Sequence, residues 1–188
     1  MHQKSMALLN KKFNGILCVF VFSLNVMNGE DKAPAYLQYV NEISKEVAAN
    51  IQDELDLIYI GGGGKMPRDV EELSLKFLAY RKASIEQARK LEVIAVQKLL
   101  NSINTHKPIK PFLREHPFPS RRAEVSISFR KKNNEHEIDH SISYVTQLNN
   151  ILYYCIEDIK KDKLVTIYEE PYEEALKIVQ NQSPPEKL

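Results

Sequence analysis

The strongest pattern in this sequence is an amphipathic stripe that predicts a long helix in the middle of the chain. Ser84 and Gln87 have the spacing of a capping box, in which the two side chains satisfy free backbone amides at a helix start. We therefore predict a helix that begins at this box and ends near Asn104. The apolar residues of the stripe recur at three- and four-residue steps: Ile85, Ala88, Leu91, Ala95, Leu99 and Ile103.

Segments on both sides of this helix alternate between apolar and polar residues, which is the period of a half-buried strand. Residues 73–80 alternate upstream of the helix, after a shorter strand candidate at 57–60. Downstream, Val125, Ile127 and Phe129 define another strand. Further strands are predicted at about 135–147, 151–158 and 164–168.

Two more helices complete the pattern. An apolar stripe predicts a first helix over about 34–54, and Pro171 opens a closing helix. Four prolines between 108 and 119 predict an irregular connection after the central helix. This order of elements predicts one α+β domain whose helices pack on one face of a mostly antiparallel sheet.

The first 29 residues have the order of a secretory signal peptide. Lys4, Lys11 and Lys12 precede an apolar run at 16–27, which leads into Asn28-Gly29. A membrane-spanning helix needs about 20 apolar residues, so this run is too short for a permanent anchor. We therefore expect cleavage near Gly29 and export of the mature chain, secreted or periplasmic, without stable membrane insertion.

The expected mature chain has a single domain at 30–182 and a flexible tail at 183–188. It keeps one cysteine, Cys155, so no disulfide can form within it. Cys155 lies in an apolar stretch without a base nearby in the sequence. This setting favours a buried structural thiol over a nucleophile or an intermolecular bridge.

Net charge argues against a nucleic-acid partner. The whole chain carries +1, and the leader holds three lysines and no acid, so the remainder is close to −2. Eight basic residues lie between Lys107 and Lys132 against two acids, and we interpret them as a solvated surface. The expected partner is a protein, and the oligomeric state stays open.

A run of four glycines is the first candidate for a contact site. Gly61, Gly62, Gly63 and Gly64 are the only glycines outside the leader, and Lys65 follows them. A phosphate-binding loop would continue with Ser or Thr and a helix, whereas Met66-Pro67 stand here. We predict a loop selected for mobility or for close backbone approach. Lys65 and the basic pair Arg121 and Arg122 are the further candidate contact residues.

His136-Glu137-Ile138-Asp139-His140 matches the motif with which one class of zinc peptidases holds its metal. That chemistry needs a helix, on which both imidazoles reach one ion and Glu137 activates the bound water. The β-branched residues that follow, and Asn133-Asn134 before it, favour a strand hairpin. A strand would separate His136 and His140 by about 13 Å. We interpret the segment as a polar hairpin without metal.

No second catalytic pattern accompanies this motif, and no set of motifs assigns the chain to a family. The sequence therefore favours a non-catalytic binding or interaction module without a cofactor. The alternative is a zinc-dependent metallopeptidase in which His136 and His140 are ligands and Glu137 is the base.

Overall fold

The computed structural model describes residues 33–135, 141–158 and 160–182. Within them the chain forms three α-helices, six β-strands and two short 3-10 helices. In chain order the elements are α1 (Ala35–Leu55), β1 (Ile58–Lys65), β2 (Glu72–Ala79), α2 (Ile85–Thr105), β3 (Ala123–Phe129), β4 (Tyr144–Leu148), β5 (Ile151–Asp158), β6 (Lys163–Pro171) and α3 (Tyr172–Gln182). The 3-10 helices are Lys107–Phe112 and Ser120–Arg122.

The six strands form one sheet in which their spatial order follows their order in the chain. Neighbouring strands are antiparallel except β2 and β3, which are parallel from Leu73 opposite Ala123 to Ala79 opposite Phe129. A parallel pair needs a long crossover, and α2 supplies it. All three helices lie on one face, since α2 contacts both α1 and α3 as well as β3, β4 and β5. The predicted α+β class is confirmed.

Helix α2 begins where the sequence predicts. The Ser84 side chain accepts a hydrogen bond from the Gln87 amide, and the Gln87 side chain accepts one from the Ser84 amide. Ala88, Ala95, Leu99 and Ile103 of the apolar stripe are buried, and Ile85 and Leu91 are half-buried. Two charged residues, Arg89 and Glu92, are also buried on α2, which apolar periodicity does not predict.

Alternate residues of the strands face the helices and form the core. One row across the sheet joins Tyr59, Phe77, Ile127, Val145 and Tyr154. The next row joins Leu75, Val125, Gln147, Leu152 and Glu170. The second row therefore carries two buried polar residues, Gln147 on β4 and Glu170 on β6.

Three expectations about local structure were wrong. Gly61–Gly64 belong to β1 rather than to a loop, because they pair with β2. The proline-rich connection contains both 3-10 helices; proline is tolerated in the first turn of Lys107–Phe112, and Pro119 directly precedes Ser120–Arg122. The strand expected over 135–147 is observed only from Tyr144, and residues 141–143 are not strand.

Some expectations fall on residues that the structure does not describe: the leader, the pentapeptide 136–140 and the tail at 183–188. In the described ranges, no helix is both long enough and apolar enough to cross a membrane.

The buried polar residues of α2 attach this helix to two strands. Arg89 Nε donates to Glu170 Oε1 at 2.7 Å, and Tyr154 donates its hydroxyl to the same oxygen. One turn further along, Glu92 Oε1 accepts from the backbone amide of Gln147 at 2.8 Å. These contacts fix α2 over β4 and β6, because a buried polar group is stabilising only with its partner in place.

Burial raises the pKa of Glu92 well above its usual range; the Gln147 amide partly opposes this rise, and Glu124 adds to it. Below about pH 4.3 the carboxyl is protonated in both the folded and the unfolded chain. As the pH rises, the unfolded chain releases this proton first, so the free energy of unfolding falls until the pH passes the folded pKa.

We expect Glu92→Gln to remove the fall in the free energy of unfolding with rising pH, because the amide of glutamine cannot ionise. Urea unfolding from pH 4 to pH 8 should show the variant gaining stability relative to the wild type, by about 1.4 kcal/mol for each pKa unit of elevation. Glu46→Gln, at an exposed position of α1, controls for the loss of a surface carboxyl. Parallel pH profiles for Glu92→Gln and the wild type would show that the buried carboxyl does not titrate as described.

Candidate functional site

The structure brings the two groups of predicted contact residues to the same end of the sheet. β2 pairs with β1 in the antiparallel direction and with β3 in the parallel direction. The end of β1 therefore lies near the start of β3. Lys65 is the last residue of β1, and Arg121 and Arg122 immediately precede β3. Glu71 joins them, since Lys65 Nζ lies 2.9 Å from its carboxylate and Arg122 donates to its carbonyl at 3.0 Å.

Most of the cations at this end are held in ion pairs. Arg114 makes two 3.0 Å hydrogen bonds to Asp69 and lies 2.7 Å from the buried carboxylate of Glu71. Arg121 and Arg122 both contact Glu115. The hydrogen bond from Arg121 is the main cause that lowers the pKa of Glu115, and the hydrogen bond to Glu71 raises the pKa of Lys65. These ion pairs compensate most of the positive charge at this end, and the expectation that nucleic acid is not a partner stays a prediction.

A small cleft of about 80 Å³ lies beside these residues. It is lined by Glu72, Arg121, Arg122, Glu124, Gln147, Leu148 and Asn149. Two cations therefore face two acids, and the volume is well below the roughly 300 Å³ at which ligand pockets begin. The cleft by itself is not a ligand pocket.

The glycines of β1 serve close contact with β2. A Cβ at Gly62 would lie 2.6 Å from the carbonyl oxygen of Ser74, and one at Gly64 would lie 2.0 Å from that of Glu72. Gly61 has a φ of 140°, a backbone angle that residues with a side chain rarely adopt. Close backbone approach therefore accounts for Gly62 and Gly64, and the positive φ accounts for Gly61, although these residues do not form the expected loop. Contact of Gly61–Gly64 with a partner stays a prediction.

Cys155 is buried on β5, with its Sγ 3.5 Å from the Thr166 hydroxyl oxygen. This position fits a structural thiol. The zinc motif His136 to His140 belongs to the connection between β3 and β4. The two ends of this connection are joined by a hydrogen bond of 2.9 Å from Phe129 N to Ser143 O. The motif itself lies outside the described residues, so its assignment as a polar hairpin stays a prediction. Elsewhere in the described chain, no three His, Cys, Asp or Glu residues form a possible metal site.

Sequence reasoning missed the exposed apolar surface of the sheet. The large apolar side chains that stay exposed among the described residues lie on strands or directly after one: Ile58, Ile60, Tyr80, Leu148, Leu164, Ile167 and Tyr168. The sequence of β6 does indicate this exposed surface, because its apolar residues occupy successive positions rather than alternate ones. A strand that buries only one face needs apolar residues on that face alone, so apolar residues on both faces leave some of them exposed.

The glycine contacts lead to a prediction with a matched control inside the same strand. Gly64→Ala should lower the free energy of unfolding by about 1–3 kcal/mol, because its Cβ meets a backbone carbonyl of β2. Gly63→Ala should change it by no more than about 0.5 kcal/mol, since the nearest atom is the Ser74 hydroxyl at 3.7 Å. Urea unfolding measures both. Equal effects of the two substitutions would contradict the close approach at Gly64.

No protein-family model, curated protein or solved structure matches this chain.

Proposed function

We propose that this protein is an exported, non-catalytic binding module that takes an extended segment of a partner protein as an added strand at the β6 edge. The order of the first 29 residues, basic and then apolar, supports export. The binding role rests on one observation, which is the exposed apolar edge formed by β6.

β6 is an edge strand of nine residues, and within the described part of the chain it pairs with β5 alone. Leu164, Ile167 and Tyr168 keep 45%, 47% and 41% of their surface exposed. Ile167 is also the extra residue of a bulge, because Thr166 and Tyr168 pair with successive residues of β5. Unpaired backbone groups together with apolar side chains are the components of recognition by strand addition.

The opposite edge offers less to a partner. β1 exposes Ile58 and Ile60 and continues into four glycines, so half of its eight residues carry no side chain that could contact a partner. Strand addition draws specificity from pockets for alternate side chains. The β6 edge supplies those side chains over a longer stretch, and its only proline is the terminal residue, Pro171.

The charges on β6 define the kind of segment that fits. Lys163 and Glu169 are exposed and bracket the apolar residues of this edge. Neither has an ion-pair partner among the described residues. The complementary segment therefore has an apolar centre, an acid near Lys163 and a base near Glu169.

Selection from a phage-displayed library of random peptides tests this proposal. Selected peptides should have apolar centres and should protect amides of residues 163–169 from hydrogen exchange. Ile167→Lys should weaken their binding at least about tenfold, or 1.4 kcal/mol, because it places a charge in the apolar edge. Ile60→Lys, on the opposite edge, is the matched control and should leave the affinity unchanged.

Three outcomes would overturn the proposal. The first is a library that yields no binder. The second is a set of peptides that bind Ile167→Lys as well as the wild type or that protect β1 or the helices. The third is a sedimentation experiment in which the wild type is a dimer and Ile167→Lys a monomer, which would assign the edge to a second copy of the chain.

A further inference from the structure

A groove of about 310 Å³ lies between the end of α1 and the start of α2, on the helical side of the molecule. Its lining is mostly apolar and includes Leu55, Ala83 and Leu91. Its volume lies at the lower end of the range that ligand pockets occupy. The groove therefore has room for a small molecule rather than for a protein segment.

Cations surround this apolar lining. Arg81, Lys82 and Lys90 all border the groove, and Lys90 is exposed. Glu54 is the one acid among the described residues of the lining, and it pairs with Lys98 at 2.7 Å between Lys98 Nζ and Glu54 Oε1. Arg81 and Lys90 therefore place positive charge beside an apolar surface.

Arg81 is fixed at this position. Its guanidinium donates to the carbonyl oxygen of Leu55 at 2.7 Å, and this carbonyl belongs to the last turn of α1, where helix carbonyls lack intrahelical partners. A guanidinium has five N–H donors, and this hydrogen bond uses one. Arg81 can therefore hold the end of α1 and bind an anion at the same time.

The start of α2 contributes little to anion binding. The Gln87 amide donates to the Ser84 hydroxyl oxygen, and the Ser84 amide donates to the Gln87 side chain. Since these donors are satisfied within the chain, recognition of a negative charge falls to the cationic side chains.

We propose that this groove binds a small amphipathic anion, a carboxylate with an apolar body. The apolar body lies against Leu55, Ala83 and Leu91, and the carboxylate pairs with Arg81 and Lys90. This site is separate from the β6 edge, so its failure would leave the proposed function untouched, and the reverse also holds.

Titration with octanoate, octanol and acetate tests both halves of this recognition. Octanoate should bind and shift the amide resonances of Ala83, Gln87 and Leu91. Octanol, which lacks the charge, and acetate, which lacks the apolar body, should each bind at least about tenfold more weakly. Lys90→Gln should weaken octanoate at least about tenfold, whereas Lys177→Gln, at an exposed position of α3, should have no effect.

Octanoate that shifts no resonance of the groove would overturn the proposal. Equal affinities for octanoate and octanol would overturn it as well, because the cations would then play no part. Equal losses in Lys90→Gln and Lys177→Gln would show a general effect of surface charge. Circular dichroism of each variant confirms that the fold is retained before its affinity is compared.

Discussion

The attachment of α2 to the sheet is the constraint on which the rest of this structure depends. The parallel pairing of β2 and β3 requires a crossover, and α2 lies across the sheet as that crossover. Arg89 reaches Glu170 on β6, and Glu92 reaches the Gln147 amide on β4. Burial and the hydrogen bond to Glu170 raise the pKa of Tyr154, so its hydroxyl stays a neutral donor in the same cluster. These polar contacts allow one placement of the helix, whereas apolar packing alone tolerates several.

The position of α2 decides which surfaces are available. With all helices on one face, the described elements leave β1 and β6 as edges, and β6 combines free backbone groups with exposed apolar side chains. Glu170 lies on β6, so the strand that the buried ion pair with Arg89 attaches to α2 is also the strand that forms the exposed edge. A rigid edge is favourable for binding, since little conformational entropy is lost when a partner pairs with it. The groove at Arg81 likewise exists because α2 starts beside the end of α1.

Local patterns predicted the helices and most of the strands, because capping and apolar periodicity depend on neighbouring residues. The capping box at Ser84 is an example, as its hydrogen bonds form within one turn. The parallel pairing of β2 and β3 was not predictable in this way, since it depends on contacts distant in the chain. The glycine run was wrongly predicted as a loop for a related reason: Gly62 and Gly64 approach the backbone of β2, and the sequence does not reveal this pairing. The sequence predicts Lys65 and Arg122 as two unrelated candidates. The structure brings them together, because both contact Glu71.

A double-mutant cycle between Arg89 and Glu170 tests the central claim, that a buried ion pair fixes α2 on the sheet. The free energy of unfolding would be measured for Arg89→Met, Glu170→Gln and the double variant. Each single change leaves a buried charge without its counter-ion, so we expect the double variant to lose less than the sum of the two, with a coupling energy of about 1.5–3 kcal/mol. Losses that add within about 0.5 kcal/mol would contradict the account, because the two side chains would then stabilise the fold independently.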